Sequence, residues 1–213
     1  FGRFIMKKFF IFLLLIIHLN TFAFTGGVKG GMNYTIPQAK NGYEEHFSND
    51  FGYTWGGFLS FNLIDKLFLN TELMLNSWQF EYEVENYGQA IEIIQIDAEY
   101  KLIELNLALS YNFIDNFYFD FGVFGGIPIS FKSSFTDLTG VHQTATAGKD
   151  YLVPSYGLLA SLGYKYNDFL INFRYLFDVS SFLTGDVESC EILDSSCYFD
   201  KFHQFQLLVG YEF

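Results

Sequence analysis

The chain is predicted to be all-β, an eight-stranded antiparallel up-and-down transmembrane β-barrel. Three observations carry this expectation. Apolar and polar residues alternate with period two over long stretches, as strands with one oily and one wet face require. Aromatic residues make up 21% of the chain and charged residues 17%, the latter well below the roughly 25% of ordinary soluble domains. Short turn signals alternate with longer polar stretches at near-even spacing, the asymmetry of bacterial outer-membrane barrels. Beyond residue 24 no stretch reaches the roughly 18 consecutive apolar residues of a transmembrane helix.

The N-terminal segment reads as targeting rather than fold. Met6, Lys7 and Lys8 precede an apolar run from Phe9 to Leu19, and Thr21-Phe22-Ala23 supplies a small-x-small site. This is the pattern of a secretory signal peptide cleaved after Ala23, with Phe1 to Ile5 as upstream sequence. A membrane anchor is the competing reading, but the run is short and the small-residue site well placed. Residues 1–23 are therefore expected to be upstream residues plus signal peptide, and residues 24–213 a single outer-membrane barrel domain. Loss of Arg3, Lys7 and Lys8 leaves nine basic against 24 acidic residues, a net charge of −15. That balance argues against nucleic acid as a partner.

Three turn signals divide the remainder: Ile64-Asp65-Lys66, Ile114-Asp115-Asn116 and Tyr166-Asn167-Asp168. Each joins apolar strand ends with tight-hairpin chemistry. Strand one, about Gly26 to Tyr34, presents Val28, Gly30, Met32 and Tyr34 outward. Strand two, Tyr53 to Leu63, presents Tyr53, Trp55, Leu59 and Phe61. Strand three starts at Leu67 and presents Leu69, Thr71, Leu73 and Leu75. Strand four presents Leu105, Leu107, Leu109, Tyr111 and Phe113; strand five presents Phe117, Phe119, Phe121, Val123, Ile127 and Ile129. Strand six presents Tyr156, Leu158, Ala160, Leu162, Tyr164 and Tyr166. Strand seven, the most regular, presents Phe169, Ile171, Phe173, Tyr175, Phe177 and Val179. Strands three and four are expected to continue past the apolar band as a protruding hairpin.

No charge falls on these apolar faces, where a Lys or Arg near the bilayer midplane costs roughly 2–4 kcal/mol. Phe61, Phe113, Phe117, Tyr166, Phe169 and Phe213 gather at the turn ends, as an interfacial girdle does. A soluble lipocalin-like barrel would place a charge-rich face outside, whereas the polar face here is rich in Gly, Ser and Asn. The last strand alternates Phe205, Leu207, Val209, Tyr211 and Phe213 against Gln204, Gln206, Leu208, Gly210 and Glu212. Phe213 and Tyr211 are expected to form an assembly signal read by the barrel-insertion machinery.

The inward charges, Lys29, Glu72, Glu104, Asp120, Lys165, Arg174, Asp178 and Glu212, are expected to form a polar network inside the lumen. An eight-stranded barrel is only wide enough for side chains to fill it, and buried charges demand partners. The expected pairing is Arg174 and Lys165 with Glu104, Asp120 or Asp178; a gated proton or ion path is the sharper, less favoured reading. No GxSxG motif accompanies the four histidines, so no catalytic residue is assigned. His203 near Asp200 is a spacing that arises readily by chance. Cys190 and Cys197 are expected to form a disulfide in the fourth loop, as two close cysteines in an exported chain do. Acidic residues gather in residues 79–101 and 184–200 without EF-hand spacing, and no metal or other cofactor is expected.

The strands together resemble the PorT-like outer-membrane β-barrel proteins, small barrels abundant in Bacteroidetes-type bacteria. The segment from Gly27 to Asn33 is similar to that family's first strand. Leu102 to Tyr111 is similar to its central motif, with Glu104 at the Glu position, Asn106 where Pro is usual and Ser110 where Lys is usual. Tyr118 to Gly126 is similar to the Gly-rich strand that follows. The resemblance implies an eight-stranded barrel without defined catalytic residues, in a functionally mixed family of which one branch takes part in protein secretion. The expectation is a non-enzymatic protein of the cell outer membrane in contact with outer-membrane lipid, with mature termini in the periplasm. Envelope structure or surface contact through the loops, as in OmpA- or OmpX-like barrels, is the leading role. An accessory of transport or secretion is a second, and a lipid-modifying enzyme a third.

Overall fold

A computed structural model of the chain describes residues 24–39, 47–86, 92–136, 142–146, 154–180 and 199–213. They form strands β1 (Phe24–Ala39), β2 (Phe47–Asn49), β3 (Phe51–Ile64), β4 (Leu67–Asn86), β5 (Glu92–Ile114), β6 (Phe117–Thr136), β7 (His142–Thr146), β8 (Ser155–Tyr166), β9 (Phe169–Asp178) and β10 (Phe199–Glu212). All but β2 and β7 close an eight-stranded antiparallel barrel in the order β4-β3-β1-β10-β9-β8-β6-β5, with β5 pairing back onto β4. The first and last strands meet from Gly27 opposite Glu212 to Ala39 opposite Phe199, so the barrel has no open seam. The two short strands lie off this circuit, β2 on β4 and β7 on β6.

The three predicted turns close the hairpins at one end, here called the turn side. Lys66, Asn116 and Asn167 each adopt positive φ, at 64°, 71° and 53°. Asn tolerates this left-handed backbone well. At the first two turns the register shifts between Asn62 and Ile64 and between Asn112 and Ile114, a bulge that tightens the local twist. On the loop side β4 and β5 run on in unbroken register to Asn86 opposite Glu92. This is the expected protruding hairpin, and β6 accompanies it as far as Phe135 opposite Ile96.

The period-two pattern becomes an inside-out barrel. Phe169, Ile171 and Phe173 of β9 are exposed, and Leu170, Asn172 and Arg174 between them are buried. The same holds on β5, where Leu105, Leu107 and Leu109 are about half-exposed and Glu104, Asn106 and Ser110 are buried. Aromatic contacts knit the outer face near the turns: Phe24–Phe61 at 6.1 Å, Phe117–Tyr164 at 4.8 Å and Phe169–Tyr211 at 5.3 Å between ring centroids. A second belt near the loop side joins Tyr34 to Phe51 at 5.2 Å and Tyr175 to Phe205 at 5.0 Å.

The lumen is so narrow that large inward side chains need glycines beside them. Phe58 lies opposite Gly27, Tyr118 opposite Gly163 and Phe124 opposite Gly157. A Cβ on Gly163 would sit 2.2 Å from the Tyr118 ring, and one on Gly157 2.6 Å from the Phe124 ring. Each ring thus covers the bare backbone of its neighbour. Gly163→Ala is expected to lower stability by about 1–3 kcal/mol through overpacking. Gly125→Ala adds a Cβ with nothing within 4 Å and is expected to stay within about 0.5 kcal/mol of the parent. Urea unfolding in detergent micelles followed by tryptophan fluorescence measures both; equal effects at the two positions would contradict this packing.

Candidate functional site

The inward face of the strands supplies the densest chemistry among the described residues. Glu72 of β4 stands at its centre. Its carboxylate accepts from Lys29 Nζ of β1 at 2.7 Å and from Arg174 Nη2 of β9 at 2.7 Å and 2.8 Å to its two oxygens. Asn106 Nδ2 adds a longer contact at 3.3 Å. The three charged side chains are 1–3% exposed. Between β4 and β9 lie β3, β1 and β10 on one side and β5, β6 and β8 on the other. The Glu72–Arg174 bridge therefore spans the lumen wall to wall. Lys29 also sits 4.6 Å over the Phe58 ring, a cation–π contact made stronger by the loss of water.

The other expected lumen residues are satisfied differently from the expected pairing. Glu104 accepts from the amides of Asn106 and Asn76, at 2.9 Å and 3.1 Å. Asn76 also donates to Gln204, and Gln204 to Thr35, in an amide chain over β4, β10 and β1. Asp120 accepts from Ser161 at 2.6 Å, while Tyr118 donates to Asn172 beside it at 2.8 Å. Asp178 accepts from the hydroxyl and backbone N–H of Ser180. Lys165 pairs with Glu212 at 2.6 Å near the turn-side mouth, where it stays 40% exposed. The correction is thus that Arg174 and Lys165 pair with Glu72 and Glu212, and that neutral donors serve Glu104, Asp120 and Asp178. The physical reason is reach. β4 stands opposite β9 across the lumen, and β8 and β10 flank β9, relations that strand order along the chain does not display.

Apolar side chains on the inward face fill the rest of the lumen. Phe58, Tyr118 and Leu170 cluster on the turn side of the ion bridge. Ala108, Phe124, Leu159 and Leu176 form a second cluster. On the loop side Trp78 packs on Tyr100 and Phe202 at 5.3 Å and 4.9 Å. A polar recess of about 160 Å³, lined by Ser60, Asn70, Ser110, Lys165 and Glu212 among others, opens below Phe58 and Tyr118. The signal available in the sequence was the glycine opposite Phe58, Tyr118 and Phe124.

Outside the barrel, just above the exposed apolar band, Lys101 Nζ lies 2.9 Å from Glu99 Oε1, and Ser77 Oγ donates to Glu99 at 3.2 Å. Desolvation pulls the Glu99 carboxyl upward. The Lys101 hydrogen bond and charge, with Ser77 and Lys132, outweigh it and leave Glu99 below the usual carboxylate range. His203 stacks on Tyr175 on the outward face; the side chain of Asp200 lies outside the described residues, as do Cys190, Cys197 and residues 1–23. Tyr211 faces outward, and the Phe213 N–H closes onto Gly26 O at 2.9 Å.

No protein-family model and no curated relative matches the chain. Among solved structures it is similar to Ail, the attachment invasion locus protein of Yersinia pestis, with a TM-score of 0.48 and 13% identity over 89% of this chain and 98% of that one. It is similar to Neisserial surface protein A, with a TM-score of 0.42 and 10% identity over 89% and 95%. It is also similar to the outer membrane protease OmpT from Escherichia coli, with a TM-score of 0.36 and 8% identity over 91% and 98%. At these identities the likeness is one of architecture and transfers no residue role to this chain.

Glu72→Gln removes the carboxylate that two buried cations share. It is expected to cost about 3–5 kcal/mol, the penalty of stranding a buried charge. Replacing Lys29, Glu72 and Arg174 together by Met, Leu and Met is expected to recover most of that loss, again by urea unfolding; a triple variant weaker than the single one would contradict the bridge. Glu99 titrates below an unfolded carboxylate, so its pairing stabilises above the ordinary carboxylate pKa and is lost as pH falls through the lowered one. Lys101→Met is expected to move the Glu99 titration upward, followed by NMR of the side-chain carboxyl.

Proposed function

We propose that the chain is a non-enzymatic integral β-barrel of the cell outer membrane that acts through its loop-side surface. The single observation that carries this is the inverted polarity of a closed barrel. Its outer wall is a band of half-exposed Leu, Ile, Val and Phe bounded by aromatic belts, and Lys29, Glu72, Glu104, Asp120, Arg174 and Asp178 are buried within. Closed strands satisfy every backbone group in hydrocarbon, which open sheets cannot do. The ion bridge and ring clusters across the lumen favour a sealed stave wall over a conducting pore. Function then falls to what stands above the wall: the long β4–β5 hairpin, the β6 extension with β7, and the loops joined to them.

In this reading residues 1–23 direct export, the three tight turns face the periplasm, and Cys190 and Cys197 close a small loop on the outside. Tyr211 and Phe213 belong to the strand that the insertion machinery handles. The resemblance to PorT-like barrels makes an accessory role in secretion the second reading.

The test is a pair of measurements on the full chain. Planar-bilayer recordings of the refolded barrel are expected to show no steady large conductance. Cells that display a chain with residues 80–98 replaced by a two-residue Asn-Gly turn are expected to lose surface attachment while the barrel still shifts its gel mobility on heating. A steady pore, or attachment unchanged without the hairpin, would contradict the proposal.

A further inference from the structure

Several polar side chains of the lumen are satisfied on one half only. Asn33 donates through Nδ2 to Asn76 Oδ1 and Ser77 O, at 2.7 Å and 3.0 Å. Gln206 donates through Nε2 to Gln204 at 2.6 Å. Arg174 spends Nη2 on Glu72, and Asp120 accepts from Ser161 through Oδ2. The other half of each group meets no partner within the protein: Asn33 Oδ1, Gln206 Oε1, Arg174 Nε and Nη1, and Asp120 Oδ1. All four residues are only 1% exposed. Their placement is ordered. Asn33 lies opposite Gln206, Gln206 opposite Arg174, Arg174 opposite Ser161, Ser161 opposite Asp120, and Asp120 opposite Ser110. They form one register row that winds across β1, β10, β9, β8, β6 and β5. The row descends from the loop side at Asn33 to the turn side at Ser110, which lines the polar recess at the turn-side mouth. In that recess Asn70 Oδ1 is also unpartnered.

We infer that this row binds a file of ordered water, fed from the turn-side recess and ending blind at Asn33. Buried polar atoms without protein partners are the groups that internal water serves, and a bridging water is nearly as good as a direct hydrogen bond. The class of ligand follows from the mixture of donors and acceptors. An anion suits Arg174 but is repelled by Asp120. A metal cation suits the oxygens of Asp120, Gln206 and Asn33 but is repelled by Arg174. A small neutral molecule that both donates and accepts serves all of them. Neighbouring strands stand about 4.8 Å apart, a spacing that one water spans between successive side chains. Beyond Asn33, Trp78 packed on Tyr100 and Phe202 closes the loop end. The file thus hydrates the buried Arg174 from one side and passes no solute through. The inference stands on the lumen alone and is independent of the loop-side role.

Arg3 and Arg174 are the arginines of the chain, so the full chain with Arg3→Lys and isotope-labelled arginine gives a single Nε–H signal by NMR. In lipid bilayers that signal is expected to receive magnetisation from water by direct through-space contact, which differs in sign from proton exchange. Ser161→Leu, which sets an apolar branch between Arg174 and Asp120, is expected to abolish the transfer. Gln206→Met, which removes one acceptor at similar length, is expected to weaken it. Gel mobility that shifts on heating shows which variants keep the barrel. No transfer in the parent, or transfer unchanged in a folded variant, overturns the file. A signal that moves when gluconate replaces chloride, or choline replaces sodium, gives the row to an ion and overturns it as well. With Cys190 and Cys197 replaced by Ser, Ser110→Cys is expected to react with a small methanethiosulfonate and Thr35→Cys to stay unmodified. An unreactive Ser110→Cys overturns the turn-side feed, and a reactive Thr35→Cys overturns the blind end.

Discussion

Everything in this barrel follows from the demand that no backbone N–H or C=O be left without a partner where water is absent. A strand can meet that demand only if it has neighbours on both edges. The circuit from β4 through β1 and β10 back to β5 supplies them, and the pairing of β1 with β10 removes the last free edge. Once the circuit closes at eight strands, the interior is fixed as a space for side chains alone. Which side chains fill it is then a problem of charge and volume in a confined, weakly polarisable place.

The Glu72 bridge and the ring clusters are two answers to that problem. A carboxylate shared by Lys29 and Arg174 places one negative group between two positive ones, so none of the three is left unpaired. Glu104 and Asp120 lean instead on amides and hydroxyls, which hold a carboxylate without adding charge to the lumen. Phe58, Tyr118 and Phe124 occupy the remaining volume, each across a glycine on the adjacent strand. The interior is thus a mosaic of short polar chains separated by rings.

Much of the fold was legible because a period of two is simple to read when one face meets lipid and the other does not. Every outward residue read on β9, from Phe169 to Phe177, lies on the outer face, and the three turns fall where Asp65-Lys66, Asp115-Asn116 and Asn167-Asp168 indicate. The lumen was legible only as a set. That Arg174 meets Glu72, and Lys165 meets Glu212, depends on stagger between strands, which no local pattern records. Leu170 and Leu176 escaped notice because an apolar residue on a polar face looks like noise until its narrow surroundings are known. The short strands β2 and β7 carry too few residues for any period to declare itself.

The central claim is the inverted polarity of the wall, and β9 is the place to measure it. Nitroxide labels placed singly from Phe169 to Asp178, with Cys190 and Cys197 replaced by Ser, report collision rates with oxygen and with a water-soluble nickel complex in lipid vesicles. The account predicts strong oxygen contact at Phe169, Ile171, Phe173, Tyr175 and Phe177, with weak contact for both agents at the residues between. Nickel contact that peaks at Phe169, Ile171 and Phe173 would contradict it, because the apolar face would then be turned to water.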